Sequence, residues 1–330
     1  MGKFLEDEKR SQEQFKRKSR FFSDAARSDG VYRGKARPFC VPLAYAEENL
    51  MPEIRVAALQ HFAAHQINWH DGKEGKPSNH LCDSQVCCVN FLFFFADKPG
   101  LLKEVLLPVF PEIDQMLPVE DGLFVSFEWI GEKNYLGERV SKNEARTRGA
   151  NSTSADAIAM FRRKDGNRQI VLIEWKYTES YSGFFCKIST SGTDRSQIYQ
   201  HLFGKSDCPF DTAPLPNFDA LFYEPFYQFM RQQFLANEME NAREMGADLV
   251  SVLHISPAHN HEFLRVTSPY LTSIGSSATS TWTKLVKRKG SFTSVSSERL
   301  FGGLGDELNG ELTSWRDYIY SRYPWVITGL

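Results

Sequence analysis

The rhythm of apolar and polar positions changes near residue 121. Upstream it is helical. PEIRVAALQHFAAH (52–65) opens on a proline suited to a first helical turn. Asp83 or Ser84 can cap a second helix through VCCVNFLFFF (86–95), which DKPG (97–100) ends. LLKEVLLPVF (101–110) forms a short third helix limited by Pro108 and Pro111. Downstream of Asp121-Gly122 the period becomes two. LFVSFEWI (123–130), ADAIAMF (155–161) and RQIVLIEWKY (168–177) are predicted strands, and the last two flank the turn signal RKDGN. Between the first and second strands lies a long polar stretch, 131–154, of the kind that carries function. DRSQIYQHLF (194–203) is predicted to be helical. A long helix then starts at Pro225, with Gly246 at its C′ position and Phe222, Phe226, Phe229, Met230 and Phe234 on one face. DLVSVLHIS (248–256) is a buried strand. A Ser/Thr-rich tail (273–284) and an aromatic helix (312–326) follow.

Hairpin strand, crossover helix and buried strand together demand a mixed α/β sheet. The expected segments are a basic N-terminal arm (1–40), a helical region packing on the core (41–120), the core (121–260) and a C-terminal extension (261–330).

Composition adds limits. The 330 residues, 42% apolar and 24% charged, suffice for a large core and exclude collagen, coiled coil and wholesale disorder. The net charge of −2 excludes a uniformly basic coat. Residues 1–40 nevertheless hold eleven Lys/Arg against six Asp/Glu, net +5, which leaves −7 for the rest. A polyanion must therefore be met locally, with FKRKSR (15–20) and KLVKRK (284–289) as candidate phosphate contacts. Six scattered cysteines, a charged start without a signal-peptide core and no apolar run beyond Phe91–Ala96 lead to the expectation of a reduced, cytoplasmic chain with no membrane span.

The hairpin carries the chemistry. Glu174 and Lys176 share one strand face, and Trp175 takes the other. A turn centred on Asp165 sets Asp156 directly across from Glu174, with Cβ atoms roughly 4.5–5.5 Å apart. An even-length loop shifts that register by one residue. Carboxylates so close repel unless a cation intervenes, and Mg²⁺ prefers such oxygen ligands. A lysine on the same face can orient or deprotonate a water, which together with the metal is what phosphodiester hydrolysis requires.

Asp156 followed, after a hairpin, by Glu174-Trp175-Lys176 resembles the D…(D/E)-x-K signature of the PD-(D/E)XK, or restriction-endonuclease-like, nuclease superfamily. FEWIGE, IEWKYTES and YEPFYQFMRQQ also resemble an uncharacterised bacterial branch of it. The resemblance covers roughly residues 80–256 and implies an αβββαβ core with a mixed sheet flanked by helices, plus N-terminal helical and C-terminal additions. It implies metal-dependent cleavage of DNA, with Mg²⁺ (or Mn²⁺ in its place) held by Asp156, Glu174 and the backbone carbonyl of Trp175, and Lys176 assisting the water. Many such enzymes act as homodimers. Two departures stand out. Ala155 replaces the usual proline, and no acidic residue lies in 84–96, so Glu128, and more weakly Glu138, is the substitute third ligand.

Other features have competing readings. Gln228, Arg231 and Gln232 form a polar stripe that either contacts nucleic acid or is a solvated helix face. His80, Cys82, Cys87 and Cys88 invite zinc, but their spacing fits no structural zinc pattern and buried thiols are the simpler reading. His254, His259 and His261 read as strand end and polar loop. The rival function is a non-cleaving nucleic-acid-binding or assembly protein on a nuclease fold.

Overall fold

A computed structural model describes residues 2–138, 145–304 and 310–328. Residues 139–144 of the polar stretch and 305–309 of the tail lie outside them. The elements are α1 (Lys3–Lys18), a small hairpin of β1 (Gly30–Tyr32) and β2 (Lys35–Arg37), α2 (Pro52–Ala64), α3 (Ser84–Leu92), α4 (Pro99–Leu106), β3 (Ile113–Leu117), β4 (Val125–Trp129), β5 (Ala155–Arg163) and β6 (Arg168–Trp175). Then come α5 (Ser196–Phe203), α6 (Phe226–Asn241), β7 (Leu249–Ser256), α7 (Ala278–Leu285), β8 (Phe292–Ser296), α8 (Ser297–Phe301), α9 (Thr313–Arg322) and α10 (Trp325–Thr328).

Six strands form one mixed sheet in the order β3-β5-β6-β7-β8, with β4 also paired to β5. The β5–β6 hairpin is antiparallel, and β7 and β8 add in parallel. Both β3 and β4 are antiparallel to β5, which meets β3 through residues 160–163 and β4 through residues 155–159. The predicted mixed α/β sheet flanked by helices is thus observed. β3 was not anticipated, because IDQML is short and its buried positions do not alternate. Nor was β8, whose Phe292-Thr-Ser-Val-Ser sits in a polar tail.

Strand alternation sorts the core into two layers. On β6, Val171, Ile173 and Trp175 face a cluster built with α2, α3, α4 and α9. Ile170 and Leu172 face a second cluster built with α6 and α7. Glu174 continues that second face. The first layer is rich in rings: Phe91 of α3 lies 4.9 Å from Trp175, 5.1 Å from Phe301 and 5.2 Å from Tyr323. It binds the ends of the chain to the sheet.

Two expectations need correction. The N-terminal segment, expected as an arm or a loosely packed helix, is a helix, and a well-packed one. α1 buries Gln12, Phe15 and Lys16, and the Lys16 ammonium donates to the carbonyls of Ser28 and Cys40, each at 2.8 Å. Sequence patterning missed this because the buried face is mostly polar and reaches its partners through hydrogen bonds. The long helix ends at Asn241 and not near Gly246, because Arg243 already adopts a left-handed φ of 52°.

Phe91 is fully buried among at least four other rings. Phe91→Ala should cost about 3–5 kcal/mol of stability by chemical denaturation. A loss below about 1 kcal/mol would mean that this ring cluster does not anchor the helical layer to the sheet.

Candidate active site

The hairpin register places the central pair as the turn arithmetic predicted. Ala157 pairs with Ile173, Ile158 with Leu172, and the same progression sets Asp156 opposite Glu174. On the other side of β5, Phe127 pairs with Ala157 and Trp129 with Ala155, which leaves Glu128 beside Asp156. Three acidic residues therefore stand in a row across β4, β5 and β6. Beyond Glu174 the row continues to His254 and then Ser294 on the two parallel strands.

Each acid is held by specific partners. Glu174 is 1% exposed. One of its oxygens lies 2.5 Å from the Lys176 ammonium, and the other accepts from the Gln232 amide of α6 at 2.8 Å. The same Gln232 amide donates to the Ser154 carbonyl, so α6 is tied to the start of β5 as well. Asp156 is partly exposed and accepts the Trp175 backbone N–H at 2.7 Å. Glu128 accepts from the Ser154 hydroxyl at 2.6 Å and from the Gln85 amide at 2.7 Å. Gln85 lies in the first turn of α3, which Asp83 caps by accepting the Val86 N–H. The site thus gathers the ends of three strands, the start of α3 and the middle of α6.

Glu128 has φ 50°, a left-handed conformation that costs a glutamate of order 1–3 kcal/mol. Its pairing to β5 is skipped while its two neighbours stay in the ladder. Gly149, itself at φ 72°, leaves room beside it; a Cβ there would come within 3.4 Å of the Glu128 side chain. Such strain, kept by three separate contacts, is characteristic of functional positions.

The electrostatics follow from burial and crowding. Burial raises the Asp156 carboxyl well above its usual range, and the neighbouring Glu174 charge adds to the rise. Burial also raises Glu174 and Glu128, against the hydrogen bonds that favour their ionised forms. Burial alone would lower Lys176, but Glu174 and the other surrounding anionic groups outweigh it, and the ammonium sits well above its ordinary value. His254 is fully buried, and burial with the Lys176 charge lowers it to about 3, so it is neutral at pH 7. Its ring stacks on Phe263 at 4.6 Å, and it is part of the core wall. The donor set of the row is three carboxylates, all hard oxygen ligands, which suits Mg²⁺ or Mn²⁺ better than a soft ion. The Gln232 carbonyl oxygen is buried with no hydrogen-bond donor.

With this arrangement established, comparison with known proteins is informative. Residues 8–324 match the model of the family described as Restriction Endonuclease associating with ARP. The chain belongs to that family. No curated protein and no solved structure matches it. The match spans nearly the whole sequence, so the helical layer and the tail belong to the family unit along with the hairpin.

The other sequence candidates fall in different places. Glu138 is not part of the acidic row; its carboxylate accepts from the Thr153 N–H and the Tyr199 hydroxyl, both at 2.7 Å. Arg231 donates to Thr153 and covers the Tyr227 ring, and Gln228 accepts from the Tyr181 hydroxyl. The six cysteines are free and buried, and burial keeps the Cys87 and Cys88 thiols well above their usual range, hence protonated. His80 packs against Tyr32 and Phe39. These residues form no metal-ligating cluster among the described residues. Arg288 of the 284–289 patch is paired with Glu240 through two 2.7 Å hydrogen bonds. No described helix is long and apolar enough to cross a membrane. Ser154 belongs to the S-x-D entry of the hairpin, a motif that carries the resemblance, whereas Gln85 was missed because a neutral side chain from a distant helix leaves no spacing signal.

A carboxyl raised on folding contributes most to stability below its unfolded value, and that contribution is lost as pH rises through the folded value. In chelator, the wild-type protein should lose stability from acid towards neutral pH. Asp156→Asn, a permanent stand-in for the protonated form, should be the more stable of the two at pH 7–8, and the difference in Tm should shrink towards acid. A difference independent of pH would contradict the charge crowding. Glu8, raised to about 7 chiefly by burial, contributes equally to both proteins.

Proposed function

We propose that the chain is a Mg²⁺-dependent nuclease that hydrolyses phosphodiester bonds in DNA, with Mn²⁺ as an effective substitute. The observation that carries this reading is the row Glu128–Asp156–Glu174 with Lys176 at its inner end. Membership of a family described as restriction endonucleases supports it.

Asp156 and Glu174 would hold the ion and the Trp175 carbonyl would add a neutral oxygen; the oxygens of Glu128, Asp156 and Glu174 do not all lie within 4.8 Å of one another, so side-chain movement would bring Glu128 in from the neighbouring strand. A bound divalent cation supplies charge neutralisation at the phosphate and makes a nearby water more acidic. The protein's own part is positioning. The Trp175 N–H fixes the Asp156 carboxylate, and Gln232 fixes one oxygen of Glu174. Gln85 and Ser154 aim Glu128. Lys176, held protonated by its anionic neighbours, serves as a donor that orients the attacking water and stabilises charge developing on the phosphate. Arg231 and Gln228, near the same helix face, are the proposed contacts to the nucleic acid, while Gln232 is engaged by Glu174. The family description names an association with ARP, and we extend that association to this chain.

Purified protein should cleave DNA with Mg²⁺ or Mn²⁺ and be silent in chelator. Glu174→Gln and Lys176→Met should each lower the cleavage rate by about 10²–10³-fold. DNA binding with no cleavage by the wild type under either ion would replace this reading with a non-cleaving binding or assembly role. Cleavage that survives both substitutions would mean that the site lies elsewhere.

A further inference from the structure

A second cluster of metal-ligating side chains lies away from the acidic row. His61 lies in the last turn of α2 and His65 is the residue that caps its C-terminus, with ring centroids 4.6 Å apart. Glu120, in the turn before β4, meets them both. His65 Nδ1 is 3.3 Å from one carboxylate oxygen, and His61 Nε2 is 3.8 Å from the other. The ligand atoms of the three residues lie within 4.8 Å of one another, and no other trio of His, Cys, Asp or Glu among the described residues does so. A tetrahedral ion with bonds near 2.0–2.1 Å needs donors about 3.3 Å apart, so modest ring movements would close the set.

The surroundings fit a metal centre. The far nitrogen of His65, Nε2, lies 2.8 Å from the Asp121 carboxylate. With an ion on Nδ1, Asp121 would accept the Nε2 proton, the arrangement of a carboxylate behind a metal-bound histidine. The Ser126 hydroxyl donates to Glu120 at 2.6 Å and lies 3.2 Å from His61 Nε2, a contact that a bound ion would replace. His61 is buried and Glu120 nearly so, which restrains their side chains before any ion arrives. Arg148 already places positive charge on this carboxylate, at 2.9 and 3.0 Å from its two oxygens. A carboxylate offers about four lone-pair positions, so the arginine can keep one oxygen edge while an ion takes another.

We propose that His61, His65 and Glu120 form a second metal site, selective for a zinc-class divalent ion and separate from the carboxylate row. Two imidazoles and one carboxylate favour Zn²⁺ or Co²⁺ over Mg²⁺. The ion would pin α2 to the turn that leads into β4, two residues of which are Ser126 and Glu128. Arg148 connects the same cluster to β4 by donating to the Phe127 carbonyl, immediately before Glu128. The ion therefore has a structural place beside the active site and takes no part in the hydrolytic step. The signal was present in the sequence as H-x₃-H within a predicted helix, but its carboxylate partner is more than 50 residues away.

The test is metal binding by the full chain, stripped with chelator and titrated with Co²⁺ while the visible absorption and the metal content are read. With excess Mg²⁺ present to occupy the carboxylate row, one Co²⁺ per chain, displaced by Zn²⁺ and not by Mg²⁺, is expected. Glu174→Gln should leave this binding unchanged. His65→Ala should abolish it, and Glu120→Gln should do the same if the first variant folds poorly by circular dichroism. Asp121→Asn, which touches only the far side of His65, should weaken it about 10–100-fold. No stoichiometric Co²⁺ or Zn²⁺, binding that persists in both His65→Ala and Glu120→Gln, or binding lost in Glu174→Gln would each overturn the assignment. Because cleavage is not the readout, the result is independent of whether the chain proves to be a nuclease.

Discussion

The carboxylates of Glu128, Asp156 and Glu174 crowd one end of the sheet, where burial removes most of the water that would screen them. In such a place like charges are costly, and each group is pushed towards its protonated form. Lys176 offsets one of them directly. The rest of the structure can be understood as what keeps this arrangement in place. The β5–β6 hairpin fixes the register of two acids, the skipped pairing at Glu128 adds the third, and α3 and α6 bring neutral amides to them. Folding energy for this comes from elsewhere. The aromatic layer around Phe91, Trp175 and Tyr323 on one face, and the phenylalanine-rich packing of α6 on the other, hold the sheet rigid between them.

Strain and chemistry coincide in this account. A left-handed glutamate on an edge strand weakens the ladder and would be avoided in a purely structural sheet. Here it lies where a carboxylate next to Asp156 requires it, supported by Ser154, Gln85 and the space left by Gly149. Lys176, raised by its anionic neighbours against its own burial, balances part of this crowded charge.

The central pair was legible in the sequence because it depends on local information. An Asp-Gly turn sets the hairpin register, and strand period sets the face, so the opposition of Asp156 and Glu174 follows from counting. The cap at Asp83, the start of α2 at Pro52 and the buried strand at 249–256 were readable for similar reasons. What was not legible depends on distant pairs. The polar face of α1 looked solvated until its partners, the Ser28 and Cys40 carbonyls, were seen to lie against it. Gln232 looked like one member of a surface stripe, yet it reaches Glu174 because α6 packs on the sheet face that Glu174 occupies. β3 and β8 were missed because their stability comes from pairing with β5 and β7 and not from their own pattern.

The central claim, that the carboxylate row is built to hold a divalent cation, is tested most directly by diffraction from crystals soaked in Mn²⁺, with the anomalous signal of manganese used to locate the ion. A peak bounded by Asp156 and Glu174 is expected, absent from crystals of Asp156→Asn. A row left without anomalous signal at saturating Mn²⁺, or a peak that persists there in the variant, would contradict it.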